Sequence, residues 1–314
     1  MKNRTHSTIY WDIVGHCNAR CKYCYTGNQT HPSGGNIDVS TFSQAMAILA
    51  HHKLVDSKCK FNLYTWGEPT LHPELGEIFN ILKTYGNHYA ISTNCGHRVN
   101  FQDSWFDNLD RVIISMCGFS QSSYDKIHKL NFEVVKDNIL HLINTAISAG
   151  YDTNKICVAH HIYQFNIHEI PSLYKFCKEH NIDYHPYYAV LGNLEQTDRF
   201  IRGELSTEEW KEISTDIIGN SILERARQHP QSGCKQFNRL VIDEKCNILT
   251  CCCLPKNHSS YKITNIFDAD FIEGLSTWSP DENCKECIQK RLSQYDEQGA
   301  GNFNLNEWQI NDLL

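Results

Sequence analysis

Apolar positions along the first two thirds of the chain alternate between short runs typical of strands and longer stretches with helical spacing. From Val39 to Leu49, apolar side chains recur in steps of three, four and three residues, which predicts an amphipathic helix. The runs that predict buried strands are Ile9 to Val14, Phe61 to Trp66, Tyr89 to Thr93, Val112 to Met116, Ile156 to Tyr163 and Tyr184 to Val190. Because helical segments separate successive strands, we expect parallel pairing through right-handed crossovers and therefore an α/β fold.

The pattern changes beyond about residue 230, where cysteine, asparagine and serine replace the long apolar periods. Two short runs, from Arg239 to Ile242 and from Asn247 to Thr250, predict a hairpin in this part of the chain. Before the change, a capping box from Ser206 to Glu209 predicts the start of a helix. We therefore expect two domains, a large α/β domain over residues 1–228 and a small cysteine-rich domain over residues 229–314.

Composition and charge exclude some classes of binding partner for this protein. The 314 residues include 29 basic and 36 acidic side chains, for a formal net charge of -7. Because affinity for nucleic acid comes mainly from Lys and Arg at phosphates, this balance argues against a nucleic-acid partner. No run of 18 apolar residues and no amino-terminal signal sequence is readable, so we expect a cytoplasmic protein without a membrane partner.

Cysteine is the unusual residue, with 15 in the chain. In a reducing compartment, clustered cysteines indicate metal binding rather than disulfides. Two groups are clustered in sequence: Cys17, Cys21 and Cys24, and then Cys234, Cys246, Cys251, Cys252, Cys253, Cys284 and Cys287. The dispersed cysteines are predicted to be small buried hydrophobic residues: Cys59, Cys95, Cys117, Cys157 and Cys177.

The first cysteine group has the spacing Cys17-x3-Cys21-x2-Cys24 and directly follows the first predicted strand. This is the carboxyl end of a parallel strand, where α/β folds place their active sites. Three thiolates on one loop are able to bind three irons of a [4Fe-4S] cluster and leave the fourth iron open to a ligand. A structural zinc site with His16 or His31 as the fourth ligand is the alternative.

The residues around this group carry a resemblance to a known family. The sequence CNARCKYC, from Cys17 to Cys24, resembles the C-x3-C-x-φ-C motif of the radical S-adenosylmethionine (radical SAM) superfamily, with Tyr23 as the aromatic φ residue. The second predicted strand ends in TWGEP, from Thr65 to Pro69, which is similar to the G-G-E-P motif of that family. Trp66 stands in place of the first glycine.

The resemblance implies a partial (β/α)6 barrel that binds a [4Fe-4S] cluster through Cys17, Cys21 and Cys24. The open iron would hold the amino and carboxylate groups of SAM, and one-electron reduction would release a 5'-deoxyadenosyl radical. That reduction requires an electron donor of the flavodoxin or ferredoxin type. The positions of this chain that match SAM contacts of the family are Tyr23, Gly67, Glu68, Pro69, Asn94 and Ser115.

The second cysteine group resembles the auxiliary-cluster domain, of the SPASM and shorter twitch type, that follows many radical SAM barrels. Eleven residues separate Cys234 from position 246, four more precede Cys251, and a C-x2-C pair follows later. The resemblance implies a second [4Fe-4S] cluster, with Cys234, Cys251 or Cys252, Cys284 and Cys287 as ligands. The family has glycine at position 246, where this chain has Cys246. Either Asn247 takes a positive φ in that hairpin turn or the turn differs.

Cysteines remain in this region beyond the expected ligands. A spare thiol at the barrel mouth would donate a hydrogen atom to a substrate carbon radical and produce an epimer. The candidates for this role are Cys246, Cys251, Cys252 and Cys253. Alternatively, the substrate radical loses a proton and passes its electron to the auxiliary cluster, which gives a two-electron oxidation.

The sequence constrains the identity of the substrate less than it constrains the cofactors. Only 16 residues precede Cys17, which leaves no room for an amino-terminal peptide-recognition domain and favours a polar small molecule such as an amino sugar, aminocyclitol or nucleoside. A short ribosomally made peptide is the alternative substrate, and a non-enzymatic iron-sulfur or zinc module is a further alternative. Successive strand residues face opposite ways, so either His160 or His161 should point into the barrel. Other side chains expected to line the barrel are His16, Tyr25, Trp66, Tyr163, His185 and Tyr187.

Overall fold

The fold is seen in a computed structural model, which describes residues 6–27, 34–189, 191, 199, 204–218, 233–254 and 259–289. Its strands are β1 (Thr8–Trp11), β2 (Lys60–Asn62), β3 (His88–Thr93), β4 (Leu109–Met116), β5 (Ile156–Ile162), β6 (Asp183–Tyr188), β7 (Leu240–Ile242), β8 (Asn247–Leu249) and β9 (Lys262–Asn265). Each of the six strands predicted in the first two thirds of the chain is present, with shifted ends.

The strands form one sheet in the order β6-β5-β4-β3-β2-β1-β7-β8-β9. Neighbours from β1 to β6 pair in parallel, which confirms the expected α/β fold. Parallel strands place their carboxyl ends at one edge of the sheet. The loops that follow β1, β2, β3 and β4 therefore meet at that edge.

The strands β1 and β2 end earlier than the sequence predicts. The prediction continued them to Val14 and Trp66, whereas β1 ends at Trp11 and β2 at Asn62. Beyond these ends single bonds to neighbouring strands remain, from the Asp12 N–H to the Ile242 carbonyl (2.9 Å) and from the Leu63 N–H to the Ala90 carbonyl (2.9 Å). The Asp12 carboxylate in addition accepts the backbone N–H of Thr65 (2.7 Å), a contact that apolar character alone does not reveal.

The helices cover one face of the parallel sheet or follow it. They are α1 (Val39–His51), α2 (Leu75–Thr84), α3 (Gln121–Lys126), α4 (Phe132–Ser148), α5 (Ile170–Glu179), α6 (Thr207–Asp216), α7 (Phe271–Thr277) and α8 (Glu282–Gln289). The predicted capping box is confirmed at α6, where Ser206 and Glu209 each bond the other's backbone N–H. Among the helices that the structure describes, none has the length and apolar character required to cross a lipid bilayer.

The two faces of the parallel sheet differ in chemistry. On the first face, apolar side chains pack against helices: the ring centroids of Trp11 and Phe42 of α1 are 4.5 Å apart, and those of Tyr89 and Phe79 of α2 are 4.3 Å apart. Alternate residues of each strand point to the opposite face, which we call the lumen face. Its polar side chains include Tyr10, Tyr64, Arg111, Ser115, Cys157, His161, His185 and Tyr187.

The lumen face is concave. Burial raises the pKa of Tyr64, just after β2, and neighbouring groups on β1, β5 and β6 (Tyr10, Cys157 and Tyr187) raise it further. In a flat sheet β2 and β6 would lie four strand spacings apart, roughly 19 Å. A Coulombic effect weakens with distance, so Tyr187 of β6 lies closer to Tyr64 than a flat sheet would allow. The sheet therefore curves as a partial barrel does.

The carboxy-terminal hairpin joins the barrel sheet. Strand β7 pairs in parallel with β1, with Val241 opposite Tyr10, and β8 and β9 follow in antiparallel register. The predicted hairpin is confirmed as β7 and β8, whereas β9 was not predicted from the sequence. Residue 228 lies outside the described residues, and the division of the chain into domains 1–228 and 229–314 stays a prediction.

The turn of this hairpin decides between the two alternatives at position 246. Cys246 itself has a φ of 61°, in the left-handed region, and Asn247 is the first residue of β8. The alternative that gives Asn247 the positive φ is therefore wrong. Asp243 stabilises the turn by accepting the backbone N–H groups of Lys245 (3.0 Å) and Asn247 (2.9 Å). A residue other than glycine in this conformation costs roughly 1–2 kcal/mol, which the buried side chain of Cys246 offsets through its packing.

Candidate active site

The first cysteine group occupies the loop after β1, where its side chains lie close together. Burial, followed by the neighbouring Cys24 and Cys17, raises the pKa of the Cys21 thiol. The Cys24 N–H donates to the Cys21 carbonyl (3.2 Å), and the Ala19 N–H donates to the Cys17 thiol (3.4 Å). A short, hydrogen-bonded loop thus holds three thiols side by side at the carboxyl edge of the sheet.

A zinc site requires ligands that converge on one ion, at about 2.0–2.3 Å from it. Within the residues that the structure describes, no three His, Cys, Asp or Glu side chains surround a point that one metal ion would occupy. A [4Fe-4S] cluster has a different requirement, because each of its cysteines binds a separate iron. Of the two histidines considered as a fourth zinc ligand, His31 lies outside the described residues.

Asn94, the residue after β3, connects the cysteine loop to the turn after β2. Its side-chain N–H donates to the Cys17 thiol (3.4 Å) and to the side-chain carbonyl of Asn18 (2.8 Å). Its backbone N–H donates to the carboxylate of Glu68 (2.8 Å). The structure therefore brings together Cys17, Glu68 and Asn94, which the sequence placed after three different strands.

The Glu68 carboxylate holds the turn after β2 in place. One oxygen accepts the backbone N–H (3.1 Å) and the hydroxyl (2.6 Å) of Thr70, and the other accepts the Asn94 N–H. Burial raises the pKa of this carboxyl, and these donors partly oppose the rise. Pro69 then starts a 3-10 helix that Glu68 caps. A buried carboxylate thus ties the turn to β3.

Asp12 is a site residue that sequence reasoning missed. Its carboxylate accepts the backbone N–H groups of Thr65 (2.7 Å), Trp66 (3.0 Å) and Gly67 (3.3 Å), and also the Thr65 hydroxyl. The side chain is buried, and burial raises the pKa of its carboxyl. The available signal was one acidic residue inside the apolar run from Ile9 to Val14. A buried carboxylate in such a run requires several donors.

Gly67 lies directly against the segment that leads into the cysteine loop. A Cβ atom on Gly67 would lie 1.7 Å from the Val14 carbonyl oxygen, which no side chain tolerates. The next residue, Glu68, donates its N–H to the His16 carbonyl (2.9 Å). The turn after β2 is therefore fixed against the residues that immediately precede Cys17, and only glycine permits this approach.

Polar groups at this junction are suited to an additional ligand. Within the described part of the chain, the His16 Nδ1 and Trp66 Nε1 atoms are buried without a hydrogen-bond partner. The Trp66 ring meets Tyr25 edge to face, with centroids 5.9 Å apart. A buried polar group left unsatisfied costs about 1–3 kcal/mol. Together with the cysteine loop, these groups fit a site for a polar cofactor next to an iron-sulfur cluster.

Residues 11–177, which span the cysteine loop, the Gly67 turn and the ends of β3 and β4, match the family model described as the radical SAM superfamily. This chain belongs to the radical SAM superfamily. It is therefore an enzyme of the class that uses SAM and a [4Fe-4S] cluster, and the resemblance carried by the CNARCKYC and TWGEP segments is confirmed at the level of the family.

The chain is also similar to individual proteins of known sequence or structure. The Fe-coproporphyrin III synthase of Methanosarcina barkeri (strain Fusaro / DSM 804) is 24% identical over 249 residues, which cover 76% of this chain and 56% of the relative. The chain thus spans about half the length of this curated relative. The crystal structure of Streptococcus suis SuiB shares 13% identity at a TM-score of 0.54, covering 91% of this chain and 68% of that chain. Native anSMEcpe with bound AdoMet shares 15% identity at a TM-score of 0.53, covering 91% and 88%.

Tyr23, the aromatic residue of the radical SAM motif, is anchored outside the loop. Its hydroxyl donates to Asp216 of α6 (2.8 Å), and its ring stacks on Tyr163 with centroids 6.2 Å apart. The neighbouring Lys22 forms an ion pair with the same carboxylate (2.7 Å). The cysteine loop of this radical SAM protein is therefore also attached to α6, beyond the residues that match the family model.

The strands β4 and β5 settle which predicted side chains reach the lumen face. Ser115 lies opposite Ala159 in the register of the two strands and faces the lumen. His160 points to the helix side, where its Nδ1 lies 2.8 Å from the Tyr184 hydroxyl. His161 faces the lumen beside Tyr187, with ring centroids 6.4 Å apart. Burial lowers the pKa of His161 to about 4, so the ring is neutral near pH 7.

The structure brings part of the second cysteine group together, whereas Cys246 is buried in the main hydrophobic core. Cys284 and Cys287 lie three residues apart on α8, on one helix face. Burial, then Asp281 and then Cys251, raise the pKa of Cys284 to about 12, so Cys251 lies near that thiol. Cys252, like Cys251 and Tyr10, packs against the apolar cluster of Val241, Leu249, Leu254 and Tyr261. Burial raises the pKa of Tyr10 and the nearby Cys252 raises it further, and the Cys252 sulfur is 3.8 Å from that of Cys253. Cys234 immediately precedes a 3-10 helix, Lys235–Asn238.

Proposed function

We propose that this radical SAM enzyme binds its cluster through Cys17, Cys21 and Cys24 and abstracts a hydrogen atom from a C–H bond of a polar substrate in the barrel. The observation that carries the proposal is Asn94, which bonds the Cys17 thiol on one side and the Glu68 carboxylate on the other. When bound and reduced, the cluster supplies the electron that splits SAM into methionine and a 5'-deoxyadenosyl radical.

The residues of the chain would bind and orient SAM. The backbone carbonyls of the Gly67–Pro69 turn and the Glu68 carboxylate are the acceptors proposed for the SAM amine, because they lie beside the cysteine loop. Ser115 faces the lumen and would bond the ribose or the methionine carboxylate. Tyr23 and Asn94 would act on the cluster side, Tyr23 by fixing the loop to α6 and Asn94 through its bond to Cys17.

Anaerobic reconstitution with iron and sulfide tests this proposal. We expect about eight irons per chain, four for each of two [4Fe-4S] clusters, and 5'-deoxyadenosine on reduction in the presence of SAM. Iron content, the electron paramagnetic resonance (EPR) spectrum of the reduced protein and chromatography of the nucleoside products are the measurements. A protein that binds iron but forms no 5'-deoxyadenosine under reduction would contradict the proposed reaction.

A polar small molecule suits the lumen best. Within the concave face, His185 and Asp183 of β6 form a hydrogen-bonded pair (2.6 Å), and Arg111 of β4 lies near Cys157 and Tyr187. These groups offer donors and acceptors for hydroxyl and amino groups, which favours an amino sugar, aminocyclitol or nucleoside. A peptide substrate is the second candidate, supported by the similar fold of SuiB bound to the precursor peptide SuiA.

The second cysteine group is proposed to bind an auxiliary [4Fe-4S] cluster. Cys251 lies near Cys284, and Cys287 occupies the same face of α8, so these thiols are suited to one cluster with Cys234 as the fourth ligand. Four protein ligands would close that cluster to substrate and leave it an electron-transfer role. Cys252, which lies near Tyr10 of the lumen face, is then the thiol that we propose as the hydrogen-atom donor.

Single alanine variants at Cys251, Cys252 and Cys253 separate the ligand from the donor. Cys251→Ala is expected to lose about four irons per chain, because a cluster with a missing ligand is not retained. Cys252→Ala is expected to keep its iron and still form 5'-deoxyadenosine, while substrate turnover stops. Cys253→Ala serves as the matched control and should resemble the parent. Unimpaired turnover in Cys252→Ala would remove Cys252 from the mechanism.

Turnover in deuterated water distinguishes the two proposed outcomes. In epimerisation the substrate carbon radical takes hydrogen from the thiol, which exchanges with solvent, and the remaining thiyl radical takes one electron and one proton from the flavodoxin- or ferredoxin-type reductant. The product then contains one solvent deuterium on carbon and keeps its oxidation state. In oxidation the product has lost two electrons and carries no deuterium on carbon. Mass spectrometry of the product shows which outcome applies.

A further inference from the structure

We infer that Asp12 is a positioning residue that sets the affinity for SAM, and this inference rests on the proposed SAM site. The Asp12 carboxylate accepts three successive backbone N–H groups, from Thr65, Trp66 and Gly67. Three amides that converge on one carboxylate cannot turn independently. The path of the turn after β2 is therefore determined by a side chain on the segment that leads into the cysteine loop.

The contacts extend in order along both segments. Asp12 bonds residues 65–67, the carbonyl of Val14 lies against Gly67, and the carbonyl of His16 accepts the N–H of Glu68. Cys17 follows immediately. The segment before the cluster loop and the turn proposed to bind the SAM amine thus run side by side as one unit. Asp12 supplies side-chain hydrogen bonds that join the two segments.

Asp12 also bonds the position at which this chain departs from the G-G-E-P motif. Trp66 replaces the first glycine, and its large ring packs against Tyr25. The Trp66 N–H donates to Asp12 (3.0 Å), so the carboxylate holds the backbone directly at the substituted position.

Asp12→Asn is the decisive variant, because the amide keeps the shape of the side chain but accepts through one oxygen only. We expect unchanged iron content, and an increase in the dissociation constant for SAM of about 10- to 100-fold, the usual consequence of losing hydrogen bonds to a buried charged group. The KM for SAM should rise more than kcat falls. Equilibrium dialysis with SAM and the rate of 5'-deoxyadenosine formation are the measurements.

Two further variants show whether the effect belongs to the turn. Thr65→Val removes the hydroxyl bond and leaves the amide bonds to Asp12, so the dissociation constant should rise by less than in Asp12→Asn. Asp152→Asn is the matched control, because Asp152 accepts the Asn154 N–H (3.0 Å) at a 3-10 helix outside the site. It should bind SAM as the parent does.

Amide hydrogen exchange in the protein without SAM tests the same contacts without measuring activity. The measurement on the parent does not depend on whether the variant folds. The amides of residues 65–67 should exchange at least about tenfold more slowly in the parent than in an unstructured peptide, and faster in Asp12→Asn. Two results would overturn the inference about Asp12 while leaving the proposed function intact. One is exchange of these amides at peptide rates in the parent, and the other is an unchanged SAM dissociation constant in a folded Asp12→Asn protein. A parent protein that does not bind SAM overturns the proposed function as well.

Discussion

Replacement of Cys21 by alanine is expected to remove about four irons per chain and to lower 5'-deoxyadenosine formation at least about a thousandfold. Cys21 is the central member of the loop, and both Cys17 and Cys24 influence the pKa of its thiol. With two ligands left, a cluster with an open iron has no stable attachment. Iron analysis, EPR of the reduced protein and product chromatography measure the two effects separately.

Cys177→Ala provides the matched control for this prediction. The substitution is the same, but Cys177 is buried in the core on α5, where burial raises the pKa of its thiol to about 12. Its loss should lower the thermal stability by a few degrees, leaving iron content and product formation unchanged. Full iron content in Cys21→Ala, or loss of iron in Cys177→Ala, would contradict the assignment of the cluster loop.

Replacement of Gly67 by alanine is expected to weaken SAM binding by about 100-fold or more while the cluster is retained. The added methyl group would lie 1.7 Å from the Val14 carbonyl oxygen, which belongs to the backbone and has no rotamer to change. The turn must therefore move away from the cysteine loop. That movement displaces the carbonyl groups proposed to receive the SAM amine, and equilibrium dialysis of reconstituted protein measures the loss.

Gly35→Ala is the control for the Gly67 variant. No atom lies within 4 Å of a Cβ added at Gly35, so the same substitution introduces no clash there. Its dissociation constant for SAM and its iron content should equal those of the parent. If Gly67→Ala binds SAM with the affinity of Gly35→Ala, the turn after β2 is not the binding site for the SAM amine.

The local patterns predicted what depends on neighbours in sequence. Six parallel strands, the hairpin of β7 and β8 and the capping box of α6 follow from spacing and composition, because periodicity and capping act within a few residues. The five dispersed cysteines are buried, as predicted. The α/β class then follows from the alternation of strands with helices.

Other features involve partners distant in sequence, and no local pattern contains them. Strand β7 pairs with β1, although more than 200 residues separate them in sequence. Strand β9 extends the hairpin, although the sequence pattern did not predict a strand there. Cys157 looked like a core residue but faces the lumen beside Arg111, because the side that a strand turns to the helices is set by its neighbours. The same reason decides that His161 and not His160 faces the lumen.

The sequence by itself determined the family, and with it the use of SAM and a [4Fe-4S] cluster, since the three cysteines of the loop and the Gly-Glu-Pro turn are short segments whose residue types carry the information. Only the tertiary structure decided how those segments meet. Asn94 joins Cys17 to Glu68, and Asp12 holds the turn of Gly67. Hydrogen bonds between residues 26 to 77 positions apart arise only when folding brings the ends of parallel strands to one edge, so these roles were not readable from the chain alone.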